Sequence, residues 1–305
     1  MPRYAANLLM CCAALVWGVT FVAQKTGMET IGPMAFTFSR YLVGALALLP
    51  LALFEARKVN LRQSTGSDIK IRLGAIGLGV LMFGGMAFQQ TALLYTSVAN
   101  AAFLTGLYVP LVPLIGAFIL RRYVAFNVWP AVGLSIMGSF LLSGTSNIQA
   151  QVGDFLTMAG AVFWAGHILL AQWVMRKVNA PFQLSFLQAM VTAALAGILM
   201  LIFEAPAPMD FLPVLPQIAF AGFVSVGIGF TLQLVAQRHT TASAAALILS
   251  LESVFAAIFG WWLLGESLVV TALIGCGLIL LAIFVAEIVT AGRFKSFRKF
   301  LSKSW

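Results

Sequence analysis

The sequence predicts an all-α membrane protein with ten transmembrane helices, arranged as two inverted five-helix repeats with both termini cytoplasmic. Its composition, the order of its apolar segments and an internal repeat are the observations that predict this fold. Of the 305 residues, 61% are hydrophobic and 9% are charged, whereas a soluble protein carries roughly 25% charged residues. A soluble fold of this length would expose large apolar patches, so the composition excludes one.

Ten segments are long and apolar enough to cross a bilayer, which requires about 20 mostly apolar residues. In chain order they are 6–26, 32–54, 71–93, 97–120, 125–143, 152–174, 181–203, 214–236, 242–264 and 268–290. The first segment resembles a signal peptide, but no small-x-small cleavage site followed by a polar stretch accompanies it. The internal repeat also requires this segment, so we expect it to be the first span.

The basic residues predict the orientation of these spans. With the N-terminus in the cytoplasm, the inner segments hold 16 of the 18 lysines and arginines, leaving Lys25 outside and Arg40 within a span. The outer connections carry acidic residues instead: Glu29, Glu204, Asp210 and Glu266. One span more or fewer would disrupt this alternation, so the charge pattern favours ten spans.

The net charge of +9 therefore reflects topology. We expect the basic tail, 293–305, to contact anionic lipid, and we expect no nucleic-acid partner. The three cysteines lie in apolar runs without CxxC or Cys/His spacing, so the sequence predicts no disulfide, metal site or cofactor: Cys11, Cys12 and Cys276.

The chain contains an internal repeat of about half its length. A shift of 144 residues pairs Gly85 with Gly229, Gln89 with Gln233, Thr96 with Thr240, Leu107 with Leu251, Gly116 with Gly260, and Gly133 with Gly277. Shifts of 147 and 148 pair Trp17 with Trp164 and Pro33 with Pro181. We therefore predict one repeat over 1–146 and a second over 147–292. Because each holds an odd number of spans, the second is inverted, an arrangement typical of secondary transporters with a midplane substrate site.

The ends of the two halves carry a family resemblance. The stretches AALVWGVTF (13–21), GPMAFTFSRYLVGAL (32–46), YTSVANAAFLTGLYVPLVPLIGAFIL (95–120) and TTASAAALILSLESVFAAIFGWWLLGE (240–266) resemble the EamA-type family of the drug/metabolite transporter superfamily. Two departures stand out, because Leu120-Arg121-Arg122 replaces a common Leu-Gly-Glu and Glu252-Ser253 replaces a common Glu-Pro. The resemblance implies transport of small metabolites, with amino acids, their derivatives or nucleobase-like compounds as typical cargo.

Polar and aromatic groups inside the spans are the candidates for a substrate cavity, because a charge at the bilayer centre costs at least about 2.5–3.5 kcal/mol. The candidates are Trp17, Arg40, Gln89, Asn100, Tyr108, Trp164, His167, Gln233 and Glu252. Glu252 lies near the predicted midplane, where it can bind a proton or a cationic group of the substrate, or pair structurally with Arg40. Arg40 could instead dock a substrate carboxylate.

The other candidates each have a functional and a structural interpretation. His167 could shuttle protons or bond a neighbouring helix. Trp17 and Trp164 could form facing aromatic walls for organic cargo or pack in the core. The amides and hydroxyls can bond a substrate or join helices. Pro110 and Pro113 break the hydrogen-bond ladder of the fourth span and predict a hinge there.

No motif for nucleotide binding or catalysis is present. The segment GVTFVAQKT (18–26) lacks the glycine that precedes the lysine of a P-loop, and neither HExxH nor GxSxG occurs. We therefore expect no enzyme. The favoured hypothesis is a secondary exporter of small organic metabolites in a bacterial inner membrane, monomeric or homodimeric, with possible proton coupling. An uptake permease or exchanger is the alternative, and a receptor or membrane enzyme is less well supported.

Overall fold

The protein consists of helices joined by short connections. The structure, a computed structural model, describes residues 1–58, 69–121, 124, 126, 128–142, 152–267 and 269–301, and these ranges contain no strand. Their helices are α1 (Arg3–Thr26), α2 (Pro33–Lys58), α3 (Ile69–Ala92), α4 (Val98–Ile119), α5 (Val128–Leu142), α6 (Val152–Lys177), α7 (Pro181–Phe203), α8 (Pro208–Gln237), α9 (Ala242–Leu264) and α10 (Val270–Leu301).

Within the described ranges, eight helices have the length and apolar composition of a membrane span, which confirms eight predicted spans. In α5 and α10 the apolar parts are shorter, Val128–Leu141 and Val270–Val285. The count of ten spans and the location of the termini therefore stay predictions. The helix α10 continues to Leu301, beyond the predicted end at 290 and into the basic tail, whose residues 302–305 lie outside the description.

Helix packing repeats between the two halves of the chain. The helix α1 packs against α8 and α9, and α6 packs in the same way against α3 and α4. The helix α2 packs against α8 as α7 packs against α3, and the remaining large contacts join α2 to α7 and α5 to α10. Exchanging α1–α5 with α6–α10 leaves this set of contacts unchanged, as expected for two copies of one five-helix unit. The exact repeat boundaries stay a prediction.

The helices α2 and α7 are joined by reciprocal carboxylate caps. The Glu204 carboxylate, just after α7, accepts hydrogen bonds from the backbone N–H groups of Met34 and Ala35 at 2.8 and 2.7 Å. The Glu55 carboxylate, near the end of α2, accepts one from the N–H of Gln183 at 2.9 Å. A carboxylate at a helix N-terminus satisfies amides that lack an intrahelical partner and complements the helix dipole. Each helix thus begins where the other ends, so the two are antiparallel.

We expect Glu204→Ala to lower the free energy of unfolding by about 1–2 kcal/mol, because two N-terminal amides of α2 lose their acceptor. The measurement is the melting temperature of the purified protein in detergent. Glu29→Ala is the matched control, since Glu29 is an exposed glutamate at the same predicted membrane surface. Equal melting temperatures for the two variants would contradict this role of Glu204.

The helices α4 and α9 are interrupted at repeat-related positions. In α4, Val98–Thr105 and Tyr108–Leu114 are separated by Gly106-Leu107. Pro110 explains this interruption, because it has no N–H to donate to the Gly106 carbonyl, which instead accepts from Val109 at 3.0 Å. The predicted hinge prolines, Pro110 and Pro113, therefore both lie in the segment that follows the break.

The helix α9 breaks at Ser250, 144 residues after Gly106, without any proline. The Ser250 hydroxyl donates to the Leu247 carbonyl at 2.7 Å. Ser253, which stands where the family commonly has proline, donates through its hydroxyl to the Ala102 carbonyl of α4 at 2.8 Å. Serine side chains that bond backbone carbonyls compete with the helical ladder and bend helices. Two serines thus accompany the break that a proline accounts for in α4.

Candidate functional site

A cavity of about 430 Å³ lies among α1, α3, α4, α6, α8 and α9. The helices α2, α5, α7 and α10 contribute no residue to its lining. The lining residues are Trp17, Phe21, Gln24, Met86, Gln89, Thr105, Tyr108, Trp164, Ile168, Ser225, Phe230, Gln233, Leu249 and Glu252. The lining thus combines aromatic rings, amides and one carboxyl group.

Twelve of these fourteen residues form six pairs related by the internal repeat. The shift of 144 residues relates Met86 to Phe230, Gln89 to Gln233, Thr105 to Leu249, and Tyr108 to Glu252. The shift of 147 relates Trp17 to Trp164 and Phe21 to Ile168. The cavity therefore lies where the two halves meet, which is the position of the substrate site in transporters with inverted repeats.

The aromatic wall is built around Phe230. Its ring centroid lies 4.7 Å from that of Trp17 and 6.0 Å from that of Trp164, to which it is nearly parallel at 12°. The two indoles, which are related by the repeat, thus both pack against one phenylalanine ring. Rings arranged in this way offer apolar faces to an organic molecule and an electrostatic attraction to a cation.

Each indole rests against a glycine from the other half of the chain. A Cβ atom on Gly85 of α3 would lie 2.8 Å from the Trp164 ring, and one on Gly229 of α8 would lie 2.6 Å from Nε1 of Trp17. Gly85 and Gly229 are themselves related by the shift of 144 residues. The absence of a side chain at both positions therefore leaves room for the two indoles beside the cavity.

Three hydrogen bonds run from the aromatic wall to α2. The indole Nε1 of Trp164 donates to Oε1 of Gln89 at 3.0 Å, and Nε2 of Gln89 donates to Oε1 of Gln24 at 3.3 Å. Nη2 of Arg40 donates to the same Gln24 oxygen at 3.4 Å. The network joins one indole, two amides and a guanidinium across four helices.

Glu252 lies in the first turn of the second segment of α9, directly after the Ser250 break. Its side chain is 5% exposed, and its neighbouring polar group is the hydroxyl of Tyr108, its repeat-related counterpart on α4. The positive end of a helix segment favours a carboxylate at this position. Among the described residues that line the cavity, Glu252 is the acidic one.

Four lining residues have buried polar atoms without a hydrogen bond of ordinary geometry inside the described protein: Nε1 of Trp17, Oγ1 of Thr105, the hydroxyl of Tyr108 and Oε1 of Gln233. A buried polar atom that is left unpaired costs about 1–3 kcal/mol. These atoms are therefore available to hydrogen-bond a molecule in the cavity.

The structure brings six of the nine predicted cavity residues to this site, namely Trp17, Gln89, Tyr108, Trp164, Gln233 and Glu252. It does not bring Arg40, Asn100 or His167 to the lining. The part that any of the nine plays in substrate binding stays a prediction.

The expected pair of Arg40 and Glu252 is not formed, so this prediction is wrong for the conformation described. Arg40 is 1% exposed, and it donates to Gln24 and to the sulfur of Met86. Its guanidinium also lies over the rings of Phe36 and Tyr41, 5.6 and 5.1 Å from their centroids. The side chain extends from α2 to lining residues of α1 and α3, whereas Glu252 belongs to α9.

His167 and Asn100 join helices away from the cavity. Nε2 of His167 lies 3.0 Å from Oε1 of Gln188 on α7, and the imidazole packs edge-on against Trp164. Nδ2 of Asn100 donates to Oδ1 of Asp154 at 2.7 Å, which joins α4 to α6. Spacing of three residues from Trp164 suggested a shared face for His167, but the residue four positions on, Ile168, lines the cavity instead.

Sequence reasoning missed eight lining residues, and helical spacing could have identified most of them. Phe21 and Gln24 lie four and seven residues after Trp17, and Ile168 lies four after Trp164. Met86, Thr105, Phe230 and Leu249 each lie three residues before a predicted residue. Positions three or four apart share a helix face.

Ser225 follows a different period. It lies five residues before Phe230, at the end of a π-helical stretch of α8, Ala221–Gly229, and its carbonyl accepts from the Phe230 N–H. A π-helix places residues five apart above one another. Nothing in the sequence pattern indicated this local change of period.

Glu266 closes the helices around one end of the site. Gly265 ends α9 in the left-handed conformation at a φ of 68°, which glycine adopts without strain. The Glu266 carboxylate then accepts from the backbone N–H groups of Val98 and Ala99 at 3.0 and 3.3 Å, at the start of α4. The Leu-Gly-Glu motif therefore joins the end of α9 to the beginning of α4.

The opposite end differs, because the first half has arginines at the matching positions. Arg121 takes the left-handed turn of Gly265, at a φ of 50°, and Arg122 lies outside the described residues. Near the start of α9, a second cavity is lined by Thr241, Ala242, Arg176 and Lys177 among others. The helices around the central cavity are thus joined at the predicted outer end and separated at the predicted cytoplasmic end.

Comparisons with known proteins agree over most of the chain. The EamA-like transporter family matches it twice, over residues 5–144 and 151–287. An uncharacterized transporter of Archaeoglobus fulgidus is 30% identical over 94% of this chain and 87% of its own length. A protein of Salmonella typhimurium named a probable amino-acid metabolite efflux pump is 28% identical over 59% of this chain and 57% of its own length. A solved crystal structure with 19% identity has the same fold, with a TM-score of 0.74 over 94% of this chain and 98% of its own.

Proposed function

The chain belongs to the EamA-like transporter family, and on this basis we propose that it exports small organic metabolites, amino acids or related compounds, across a bacterial inner membrane. The observation that carries the proposal is the cavity between the two repeats, with its aromatic wall, its amides and Glu252. Transporters with inverted repeats bind their substrates at this position.

The chemistry of the lining supports a substrate with both apolar and polar parts. Trp17, Trp164 and Phe230 offer ring faces to an apolar group. Glu252 can accept hydrogen bonds from an ammonium group, and the amides can bond a carboxylate or carbonyl. An amino acid carries all of these features. The name of the Salmonella typhimurium relative supports both this class of substrate and the outward direction.

The two ends of the site support alternating access. In the conformation described, Glu266 joins α9 to α4 at the predicted outer end, and a cavity separates helices at the predicted cytoplasmic end. The breaks in α4 and α9 beside Tyr108 and Glu252 are positions where these helices can bend. Rocking of one repeat against the other would then expose the cavity to each side in turn, and proton binding at Glu252 would couple this motion to a gradient.

Tryptophan fluorescence tests whether the cavity binds substrate. We expect amino acids to quench the emission of the purified protein, and we expect Trp17→Phe/Trp164→Phe to remove more than about half of the quench, because both indoles face the ligand. Trp261→Phe/Trp262→Phe is the matched control, since these two indoles are exposed. Equal quenching in the wild-type protein and the cavity variant would show that neither indole lies at the site.

Transport direction is measured in proteoliposomes of known protein orientation. Export predicts that a labelled amino acid moves from the cytoplasmic face to the outer face against its gradient when protons are allowed to move in the opposite direction. Accumulation in the reverse direction only would identify an uptake permease and contradict the proposed export.

A further inference from the structure

Arg40 is a buried cation without an acidic partner in the described part of the protein. It donates to Gln24 and Met86 and lies against two aromatic rings. Removing a guanidinium from water is costly, and it persists when hydrogen bonds and a function compensate for that cost. Because Arg40 lies directly behind two lining residues, its charge acts on the cavity through them.

The donors in the network fix the orientation of both amides. A guanidinium and an indole N–H can only donate hydrogen bonds. Gln24 must therefore turn its carbonyl oxygen towards Arg40, and Gln89 must turn its oxygen towards Trp164 and its NH2 towards Gln24. The NH2 group of Gln24 is left without a hydrogen bond to the described protein, on a residue that lines the cavity.

We propose that Arg40 is a positioning residue that holds Gln24 with its NH2 group towards the substrate, so that this wall binds a carboxylate or carbonyl of the cargo. The inference rests on the proposed function and names the group recognised at the wall formed by α1 and α3. Nε1 of Trp17, a buried donor without a protein partner, lies on the same helix and lines the same cavity. Glu252 on α9 supplies the acceptor for an amine.

Three probes separate the two ends of such a cargo: L-phenylalanine, 3-phenylpropionate, which lacks the amine, and phenethylamine, which lacks the carboxylate. Their affinities are measured by titration calorimetry on the purified full-length protein. We expect Gln24→Glu to weaken binding of the two carboxylate probes by at least about tenfold, because the NH2 donor becomes a second acceptor. Binding of phenethylamine should be unchanged or tighter.

Gln24→Glu is chosen because the new carboxylate can pair with Arg40, so the variant keeps the buried cation satisfied. Arg40→Met tests positioning directly, since Gln24 is then free to rotate, and it should weaken the carboxylate probes selectively while Arg40→Lys restores part of the preference. Gln90→Leu is the matched control. Gln90 donates to the Gln24 backbone carbonyl at 3.1 Å and does not line the cavity, so its loss should leave the affinity ratios unchanged.

The outcomes distinguish the inference from the proposed function. Selective loss of the carboxylate probes in Gln24→Glu and Arg40→Met would support the inference. Equal weakening of all three probes would overturn it and leave Arg40 a structural residue, with the proposed function intact. A wild-type protein that binds none of the probes would overturn the proposed amino-acid cargo and the inference together.

Discussion

Glu252→Gln is expected to reduce transport driven by a proton gradient by about 10–100-fold, the loss that corresponds to a charge-assisted hydrogen bond of about 1.5–3 kcal/mol. Glu252 is buried beside Tyr108, directly after the break in α9, and it is the acidic residue of the described cavity lining. Glutamine keeps the shape of the side chain but can neither bind the proton nor carry the charge.

Two assays in proteoliposomes separate the possible roles of this carboxyl group. If Glu252 carries the coupling proton, Glu252→Gln should lose gradient-driven flux but retain exchange of labelled for unlabelled substrate. If Glu252 binds the amine of the cargo, exchange should fall as well. Glu29→Gln, at an exposed position, is the control and should transport normally. Undiminished gradient-driven transport by a correctly folded Glu252→Gln protein would exclude both roles.

Gly85→Val and Gly229→Val are each expected to lower transport at least about tenfold, because a β-branched side chain at either position must displace an indole into the cavity. The added Cβ would lie 2.8 Å from the Trp164 ring or 2.6 Å from Nε1 of Trp17. At Gly85 the displaced indole would also lose its hydrogen bond to Gln89. The measurement is initial transport rate in proteoliposomes, normalised to the amount of folded protein.

The repeat supplies a matched pair of control variants. Gly133 and Gly277 are related by the same shift of 144 residues, and a Cβ at either would meet no atom within 4 Å. Gly133→Val and Gly277→Val should therefore transport at close to the wild-type rate. Normal transport by Gly85→Val and Gly229→Val would show that the indoles do not need these positions, whereas loss in all four variants would indicate a general effect on folding.

Much of the cavity could be predicted from the sequence, because the repeat and the helical period both act along the chain. The shifts of 144 and 147 residues matched Gln89 to Gln233, Tyr108 to Glu252 and Trp17 to Trp164, and all six line the cavity. The same shifts apply to three further pairs that were not singled out. Two copies of one unit around a shared axis place matching positions on opposite sides of one space.

The Arg40 network could not be predicted in this way. Which helix a side chain reaches depends on the rotation and packing of neighbouring helices, and Arg40 extends to Gln24 and Met86 where a pair with Glu252 was expected. The break in α9 illustrates the same limit. The missing proline suggested a continuous helix, yet the hydroxyls of Ser250 and Ser253 bond carbonyls within α9 and on α4.

The sequence by itself determined the membrane class, eight of the spans and the matching of the two halves, because these follow from hydropathy and from identities along the chain. Only the tertiary structure decided which polar groups meet. It placed Arg40 behind Gln24, His167 behind Trp164, and Glu266 at the start of α4. Hydrogen bonds act over about 3 Å, so a partner is fixed only when helices distant in the chain are packed together.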